Sequence, residues 1–362
     1  MNLNFNINSD ISKAETLPAS FYKNPELFEF IKEKIFLKSW HWIGDENLVK
    51  EKNSLHPFVL LEEYLDEPLL LSKTINDSIM CLSNVCTHRG NLLILEPCKS
   101  AKIRCMYHGR RFNNNGDFEF MPDFEQTKDF PRHCDNLHSY SVKTWNKLIF
   151  VGINPIIDFN KVIDIMENRV GFLPLNKSLF DSSLSQDFSI DAHWALYCDN
   201  YLEGFHVPFV HKDLNEILDY NSYETEIYDH CNLQIGYSNQ KDDCFVFPDN
   251  HMDYGKNIAA YYFWIFPNMM FNFYPWGLSI NIVKPVGLKL TKIEFRSYVF
   301  NKSKLNQGAG SDLGKVEKED EFVVQNVQKG INSAFYKSGR YSATKEKGVH
   351  HFHYLLSKIL AT

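Results

Sequence analysis

The chain has 362 residues, of which 44% are hydrophobic and 15% aromatic, and this composition predicts a globular protein with a sizeable core and two domains. A formal net charge of −7 with scattered lysines gives no basic surface for a nucleic-acid backbone, so nucleic acid is excluded as a partner. The sequence shows no signal peptide and no apolar run long enough to span a membrane, and we expect a cytoplasmic protein. Eight cysteines are too few for a disulfide scaffold in a chain of this length, which leaves metal ligation or reduced core thiols.

The chain is predicted to begin with a helix and to continue with a β-rich region. A helix is expected first, over residues 24–40, because apolar residues recur there at helical spacing. From about residue 48 to residue 155, short β-prone runs alternate with Gly, Asn, Asp and Pro turns, which predicts a small all-β domain. Within it, the dipeptide Asn115-Gly116 predicts a hairpin.

The rest of the chain has a different pattern. Helical patterns occur near residues 161–170, 193–206 and 317–332, and aromatic β-prone runs occur at 258–266, 269–274, 278–284 and 292–300. This mixture predicts an α+β domain with a long antiparallel sheet and helices packed on one face.

Two short motifs in the β-rich part carry metal-binding residue types. Cys86-Thr87-His88 and Cys105-Met106-Tyr107-His108 are separated by sixteen residues, and each lies on a loop between β-prone runs. A single tetrahedral zinc could bind two thiolates and two imidazoles, although zinc sites usually pair Cys with Cys and His with His. One Cys and one His from each loop suit a [2Fe–2S] cluster, with the cysteines on one iron and the histidines on the other.

A second dense motif, Asn-x-x-Glu-x-x-His-x-x-x-x-His, runs from Asn200 to His211. Glu203 and His206 are three residues apart and are predicted to share a helix face, whereas His211 would lie about 140° away on an unbroken helix. Because Pro208 disfavours helix, we predict that the helix ends there and that the chain turns His211 back toward His206. Two imidazoles and one carboxylate on one side of Fe(II) leave positions open for dioxygen.

The segments Cys86–Gly90 and Cys105–Gly109 resemble the two cluster loops of the Rieske ferredoxin family. The resemblance implies a [2Fe–2S] cluster bound by these two cysteines together with His88 and His108. At Met106 and Arg110 the chain departs from the family, whose members often have Pro and Trp there. These departures change the surroundings of the cluster without changing its ligands.

The resemblance to Rieske non-haem iron oxygenases covers residues 21–360 and implies a domain organisation. We expect an all-β Rieske [2Fe–2S] domain over residues 45–155 and a catalytic mononuclear iron domain of the helix-grip type over residues 156–362. An N-terminal helical segment, residues 1–44, is expected to pack on the catalytic domain. The fold class is therefore α+β with an all-β Rieske domain.

The same resemblance implies a set of iron ligands. His206 and His211 are expected to bind a mononuclear Fe(II) with Asp320, whose surroundings resemble the acidic-ligand helix of these oxygenases. Glu319 is the alternative third ligand, and an ordinary solvated helix face is the competing interpretation of the acidic run.

Two further residues take roles from the resemblance. Asn200 resembles the asparagine that the family places just behind the iron. Glu203 occupies the position of the acidic residue that, in the family's trimers, bridges one subunit's cluster to the iron of the next. His108 is the expected partner on the cluster side. Because the bridge joins two subunits in the family's trimers, the resemblance implies a homotrimer.

The chain looks most like the choline monooxygenase group, which acts on quaternary amines, in four short segments: 198–203, 327–330, 338–341 and 350–353. The histidines of the last segment are expected to pack rather than to bind metal. Candidates for the substrate pocket are aromatic: Phe209, Tyr262, Trp264, Phe273 and Trp276. Each aromatic face would stabilise a trimethylammonium group by about 0.5–2 kcal/mol. Alternation along a strand puts only half of the strand residues on the pocket side, and an aromatic substrate would suit such walls too.

These observations predict the oxygenase component of a Rieske monooxygenase, using O2 and a small organic substrate such as choline, betaine or carnitine. Alternatives are an aromatic-ring hydroxylating dioxygenase alpha subunit, a non-catalytic Rieske electron-transfer protein and a zinc-binding structural module. The chain has no flavin or nicotinamide fingerprint, so NAD(P)H is expected to act through a separate reductase or ferredoxin.

Overall fold

The computed structural model describes residues 5–238 and 240–361. Residues 1–4, 239 and 362, which belong to the predicted N-terminal and catalytic segments, lie outside the described residues. The chain divides into two compact units, residues 37–157 (the β unit) and residues 1–36 with 158–362 (the α+β unit). Within the described part of the chain, every helix is too short or too polar to cross a membrane.

The β unit contains two antiparallel sheets. Its strands are β1 Trp40–Asp45, β2 Ser54–Leu60, β3 Glu67–Lys73, β4 Ile79–Ser83, β5 Cys98–Lys99, β6 Lys102–Arg104, β7 Arg111–Asn113, β8 Phe118–Phe120, β9 Ser139–Trp145 and β10 Leu148–Gly152. The seven-stranded sheet has the order β1-β10-β9-β4-β3-β2-β5, and the three-stranded sheet has the order β6-β7-β8. The expected all-β domain is confirmed.

The predicted hairpin joins β7 to β8. Gly116 has a φ of 91°, a left-handed conformation that glycine adopts without steric cost. The N–H of Asn113 donates to the carbonyl of Asp117 at 2.9 Å and closes the turn. This hairpin lies against the core of the unit, which also includes Cys86 and Cys105.

The α+β unit is built on one seven-stranded antiparallel sheet. Its strands are β11 Leu179–Ile190, β12 Glu224–Ile227, β13 Cys231–Tyr237, β14 Ile258–Ile265, β15 Met269–Tyr274, β16 Gly277–Gly287 and β17 Leu290–Val299. Its helices are α1 Pro25–Lys34, α2 Phe159–Val170, α3 Trp194–Tyr201, α4 Val207–Val210, α5 Lys212–Ile217, α6 Leu313–Gly330 and α7 Lys347–Leu360. The strands from β12 to β17 form a meander in chain order, and β11 pairs with β17 at the far edge. An antiparallel sheet with helices is the predicted class.

The first helix is shorter than predicted. The side chain of Asn24 accepts hydrogen bonds from two backbone N–H groups of the first turn, and Pro25 occupies the first helical position. The helix ends at Lys34, and Trp40 instead begins β1, where it pairs with Gly152. The prediction that the helix reaches residue 40 was wrong, because pairing in the sheet outweighed the local helical pattern.

Candidate metal centres

The two Cys-His loops of the β unit have the same backbone hydrogen-bond pattern. In each loop the cysteine N–H donates at 2.8 Å to a carbonyl five residues later, and a glycine N–H donates back to the cysteine carbonyl at 3.0 Å. These glycines, Gly90 and Gly109, have φ angles of 72° and 75°, so each turn depends on a residue without a Cβ. The repeated motif therefore builds two equivalent turns that present Cys86 and Cys105 in the same way.

The four predicted cluster ligands lie together. Cys86 and Cys105 are 2% and 1% exposed, and their thiols are in hydrogen-bonding contact. The ring centroids of His88 and His108 are 4.8 Å apart. Nδ1 of His88 is buried without a hydrogen-bond partner among the described residues. A bound metal would supply the missing partner of this nitrogen. The residues present therefore fit a [2Fe–2S] cluster.

Arg110, at the position where family members often have Trp, is 2% exposed. Its guanidinium donates to Oδ1 of Asp135 at 2.7 Å, and Thr87 of the first loop donates to the backbone carbonyl of Asp135 at 2.8 Å. Aromatic rings surround the guanidinium carbon at 5.0–5.7 Å from their centroids: Phe112, Phe118 and Phe130. Arg110 thus occupies an aromatic environment, and through Asp135 it ties the two cluster loops together.

Three donor atoms converge in the α+β unit. Nε2 of His206 lies 3.1 Å from Nε2 of His211, and Oδ1 of Asp320 lies 3.0 Å from the latter and 3.6 Å from the former. Donors that bind one metal at about 2.1 Å and at right angles lie about 3 Å apart. Among the described residues, these three form the one group of His, Cys, Asp or Glu side chains able to hold a single metal ion. Their spacing fits a mononuclear metal.

The chain path between the two histidines differs from the predicted one. Helix α3 ends at Tyr201, so Glu203 and His206 lie in a bend and do not share a helix face. Pro208 is the second residue of α4, Val207–Val210, and does not end a helix. The predicted return of His211 to His206 is confirmed by the 3.1 Å between their Nε2 atoms. The role given to Pro208 was wrong, because the missing N–H of proline is harmless in the first turn of a helix, where that donor has no intrahelical partner.

Hydrogen bonds behind two of the donors orient them. Nδ1 of His206 donates to Oε1 of Glu203 at 2.7 Å, and the backbone N–H of His206 donates to Oε2 of the same carboxylate at 3.0 Å. Nδ2 of Asn200 donates to Oδ1 of Asp320 at 2.6 Å. Such partners fix the tautomer of a ligating imidazole and the direction of a ligating carboxylate.

The two consecutive acids of α6 contact opposite sides of one ring. Nδ1 of His211 donates to Oε2 of Glu319 at 2.8 Å, while Asp320 lies at its Nε2. Successive residues on a helix point about 100° apart, so the two carboxylates cannot share one position. The geometry places Asp320 in the donor set and Glu319 behind the histidine.

A cavity of about 110 Å³ adjoins the three donors. Five tyrosines contribute to its wall: Tyr197, Tyr201, Tyr223, Tyr262 and Tyr274. Four amide side chains add polar groups to it: Asn200, Gln234, Asn272 and Asn281. Among the described residues that line this cavity, none is Lys or Arg.

Of the predicted pocket residues, the structure brings Tyr262 to the cavity and not the other four. Phe209 is 77% exposed, and the buried Trp264 packs edge-on against Phe352 of α7. Phe273 lies on the opposite face from the lining residues next to it along β15, and it packs against Phe263. Trp276 is not a lining residue and stacks on one that is, Tyr274, with ring centroids 5.3 Å apart.

Sequence reasoning did not single out Glu317, although it lines the cavity. It lies three residues before Asp320 on α6 and is 2% exposed, and its Oε2 accepts a hydrogen bond from Tyr197 at 2.5 Å. The i, i+3 spacing from the predicted ligand was a signal that could have identified it, since such residues share a helix face.

The histidine run of α7 takes part in hydrogen bonding. Nε2 of His353 lies 2.7 Å from Oδ1 of Asp199, and Tyr341 lies 2.6 Å from its Nδ1. Tyr22 donates to the other oxygen of Asp199 at 2.8 Å. No histidine of this run belongs to a metal-binding group in the described part of the chain.

Comparisons with known proteins agree with this geometry. The catalytic domain model of the ring-hydroxylating alpha subunit matches residues 180–362, and the Rieske [2Fe–2S] domain model matches residues 39–131. Chloroplastic choline monooxygenase of Beta vulgaris is 30% identical over 96% of this chain and 77% of that protein. The carnitine monooxygenase oxygenase subunit of Escherichia coli is 25% identical over 96% of this chain and 94% of that protein.

Solved structures show the same fold. A quaternary ammonium Rieske monooxygenase in complex with its substrate gamma-butyrobetaine superposes with a TM-score of 0.75 and 20% identity, covering 97% of each chain. Naphthalene 1,2-dioxygenase from Rhodococcus sp. gives 0.71 with 16% identity, covering 95% of this chain and 94% of that one. The chain therefore belongs to the family of Rieske-type ring-hydroxylating oxygenase alpha subunits, which contain a [2Fe–2S] cluster and a mononuclear iron and receive electrons through a reductase.

Proposed function

We propose that this protein is a monooxygenase component that hydroxylates a small quaternary amine. The observation that carries the proposal is the convergence of His206, His211 and Asp320 beside a tyrosine-lined cavity. Aromatic faces attract a trimethylammonium group, and the relatives described above are named for choline and carnitine. The substrate class is thus a quaternary amine such as choline, betaine or carnitine.

The residues of the site have three different roles. His206, His211 and Asp320 hold the iron, which when bound supplies a site where dioxygen is activated for insertion of one oxygen atom into a C–H bond. Glu203 and Glu319 each hold a proton on Nδ1 of a histidine, so that Nε2 presents its lone pair to the donor site. The tyrosines of the wall position the substrate and limit the access of water.

The cluster is assigned to the β unit. Cys86, His88, Cys105 and His108 are its proposed ligands, on the strength of the paired turns and the unpartnered nitrogen of His88. We assign the Rieske domain to residues 37–157, so that it includes β1 and its partner β10, and the catalytic domain to residues 158–362, with residues 1–36 as an N-terminal segment of the same compact unit as the catalytic domain. The boundaries predicted at residues 44/45 and 155/156 are moved for this reason.

A homotrimer is part of the proposal. His108 is exposed, which leaves it available to a neighbouring subunit, and Glu203 already contacts the iron-site His206. Glu203 would then accept hydrogen bonds from a histidine of each centre and couple the two across the subunit interface. A cytoplasmic location stays a prediction.

The alternative of an aromatic-ring substrate is less well supported. A hydrocarbon ring would offer no partner to Oε1 of Glu317, which is buried without a hydrogen-bond partner among the described residues, and this is unfavourable in a buried site. The non-catalytic electron-transfer alternative is disfavoured by the complete donor set.

The proposal is tested by supplying the metal-loaded protein with a reductase and NADH. Quaternary amines and aromatic acids are screened for substrate-dependent oxygen uptake and for products that gain one oxygen atom. We expect turnover with at least one quaternary amine. Turnover with aromatic substrates alone, or oxygen uptake independent of every substrate, would refute the proposal.

A further inference from the structure

The carboxyl group of Glu317 is unusual among the polar groups of the cavity. Its Oε2 is bonded to Tyr197, but its Oε1 is buried without a hydrogen-bond partner among the described residues. A buried carboxyl oxygen without a partner is costly, so its retention on the wall of a ligand cavity indicates that a ligand supplies the missing interaction.

The other two acids of the wall already have partners. Asp320 lies between His211 and Asn200, and Glu203 is bonded to His206. Glu317 is thus the acid of the described wall that takes no part in the donor set or in its orientation. Burial raises the pKa of its carboxyl to about 8, which shows how poorly the surroundings compensate a negative charge there.

Neutral and aromatic groups make up the rest of the wall. The described lining residues offer neither Lys nor Arg to Glu317, and five tyrosines share the cavity with it. A cation would compensate the carboxylate and would also be attracted by the rings. An anionic group of a ligand would meet no positive side chain on this wall.

We propose that Glu317 is a specificity-determining residue whose carboxylate binds the positive charge of the substrate, so that the site selects a cation with a neutral polar end over a zwitterion. The inference rests on the proposed oxidation of quaternary amines and specifies the substrate class of that same site. Choline has this chemistry, whereas carnitine and glycine betaine carry a carboxylate.

The test compares ligands that differ only in charge. Choline and 3,3-dimethylbutan-1-ol have the same shape, with a nitrogen replaced by a carbon, and glycine betaine represents the zwitterions. Turnover and equilibrium binding of all three are measured on the metal-loaded wild type, on Glu317→Gln and on Glu321→Gln. The last is a matched control, since Glu321 lies on the same helix but does not line the cavity.

For the wild type, we expect kcat/KM for choline to exceed the values for the isostere and for glycine betaine by about tenfold or more. Glu317→Gln should lower kcat/KM for choline by a similar factor, mainly through KM, and should change the value for the isostere by less than about twofold. Glu321→Gln should match the wild type with all three ligands.

Each outcome has a distinct meaning. If the wild type oxidises a quaternary amine but does not prefer choline to its neutral isostere, or prefers glycine betaine, the role of Glu317 is overturned while the proposed function stands. That role is overturned as well if Glu317→Gln keeps its iron and its preference for choline. If the wild type oxidises no quaternary amine, the proposed function is wrong, and so is this inference, which rests on it. A Glu317→Gln protein that does not fold leaves the wild-type comparison to decide.

Discussion

Nδ2 of Asn200 donates a 2.6 Å hydrogen bond to the same oxygen of Asp320 that lies 3.0 Å from Nε2 of His211. The amide on α3 therefore aims a carboxylate on α6 at a histidine that follows α4. Three separate segments of the chain meet at one oxygen atom, and this arrangement makes the site sensitive to residues that do not bind the metal themselves.

Replacing Asn200 by Ala should weaken iron binding without abolishing it. The carboxylate would keep its place on the helix but lose the group that fixes its direction, and we expect Fe(II) affinity to fall by about 10–100-fold. Competition with a chelator measures the change. Asn326→Ala is the control, because Asn326 is exposed on α6, the helix that carries Asp320, and this variant should bind iron normally. An unchanged affinity in Asn200→Ala would show that the hydrogen bond does not orient Asp320.

Glu319 and Asp320 should respond differently to removal. Asp320→Ala deletes a donor atom and is expected to lose the mononuclear iron at any practical Fe(II) concentration. Glu319→Ala removes only the partner of Nδ1 of His211, so the iron should still bind, with an affinity lower by about 10–100-fold. Fe(II) titration of the two variants is the measurement. The reverse order of effects would make Glu319 the third ligand.

Replacing Glu203 by Gln tests the proposed bridge between subunits. The amide oxygen of Gln can still accept from Nδ1 of His206, so both metal centres should remain loaded. Loss of the charge should slow product formation by about tenfold or more. Metal content and the reoxidation rate of the reduced protein in the presence of substrate are measured together. Normal turnover, or loss of the iron, contradicts the bridging role.

The buried histidines of the α+β unit predict a pH-dependent stability. Burial lowers the pKa of His193 to about 3 and that of His351 to about 4, below the value near 6.5 of an unfolded chain. Below pH 6.5 the unfolded state therefore binds more protons than the folded one. The free energy of unfolding should be greatest above pH 6.5 and should fall as the pH drops toward 4, by up to about 1.4 kcal/mol per pH unit for each group.

Denaturant unfolding at several pH values checks this expectation. His193→Asn keeps an acceptor at the helix N-cap but removes the titrating ring, so the slope of stability against pH should become shallower. Replacing the exposed His138 by Asn should leave the slope as it is in the wild type. Equal slopes for the wild type and His193→Asn would remove the explanation.

The buried pair of Arg110 and Asp135 should be important for the stability of the β unit. Arg110→Met leaves the carboxylate uncompensated, and breaking such a pair typically costs about 3–5 kcal/mol. The double variant with Asp135→Asn should recover part of the loss, because no unpaired charge remains. A double-mutant cycle in unfolding free energy measures the coupling, and additive effects would mean that the pair does not stabilise the loops.

The strands in the sheet of the α+β unit were predicted well where aromatic and β-branched residues cluster, as in β14 and β15. Strand β11 was not predicted, because its sequence is polar and largely exposed. It lies at the edge of the sheet, where pairing with β17 holds it and no apolar pattern is needed. Local sequence cannot show such pairing.

Part of the candidate site was likewise predictable from the sequence and part was not. The ligand types and their spacing indicated both centres, because metals require particular donors. The cavity wall was harder to predict, since four of its five aromatic candidates lie elsewhere and only Tyr262 reaches it. Helices from later in the sequence decide which side of a strand faces a cavity and how far along the strand the cavity extends. Helix α7, which packs against Trp264, is an example.

Iron and acid-labile sulfide analysis of the purified protein tests the central claim most directly. We expect a [2Fe–2S] cluster together with one further iron per chain, and we expect Asp320→Ala to lose that one iron while retaining all of the sulfide. Bound zinc without sulfide, or an Asp320→Ala protein with the full iron content of the wild type, would contradict the two-centre account.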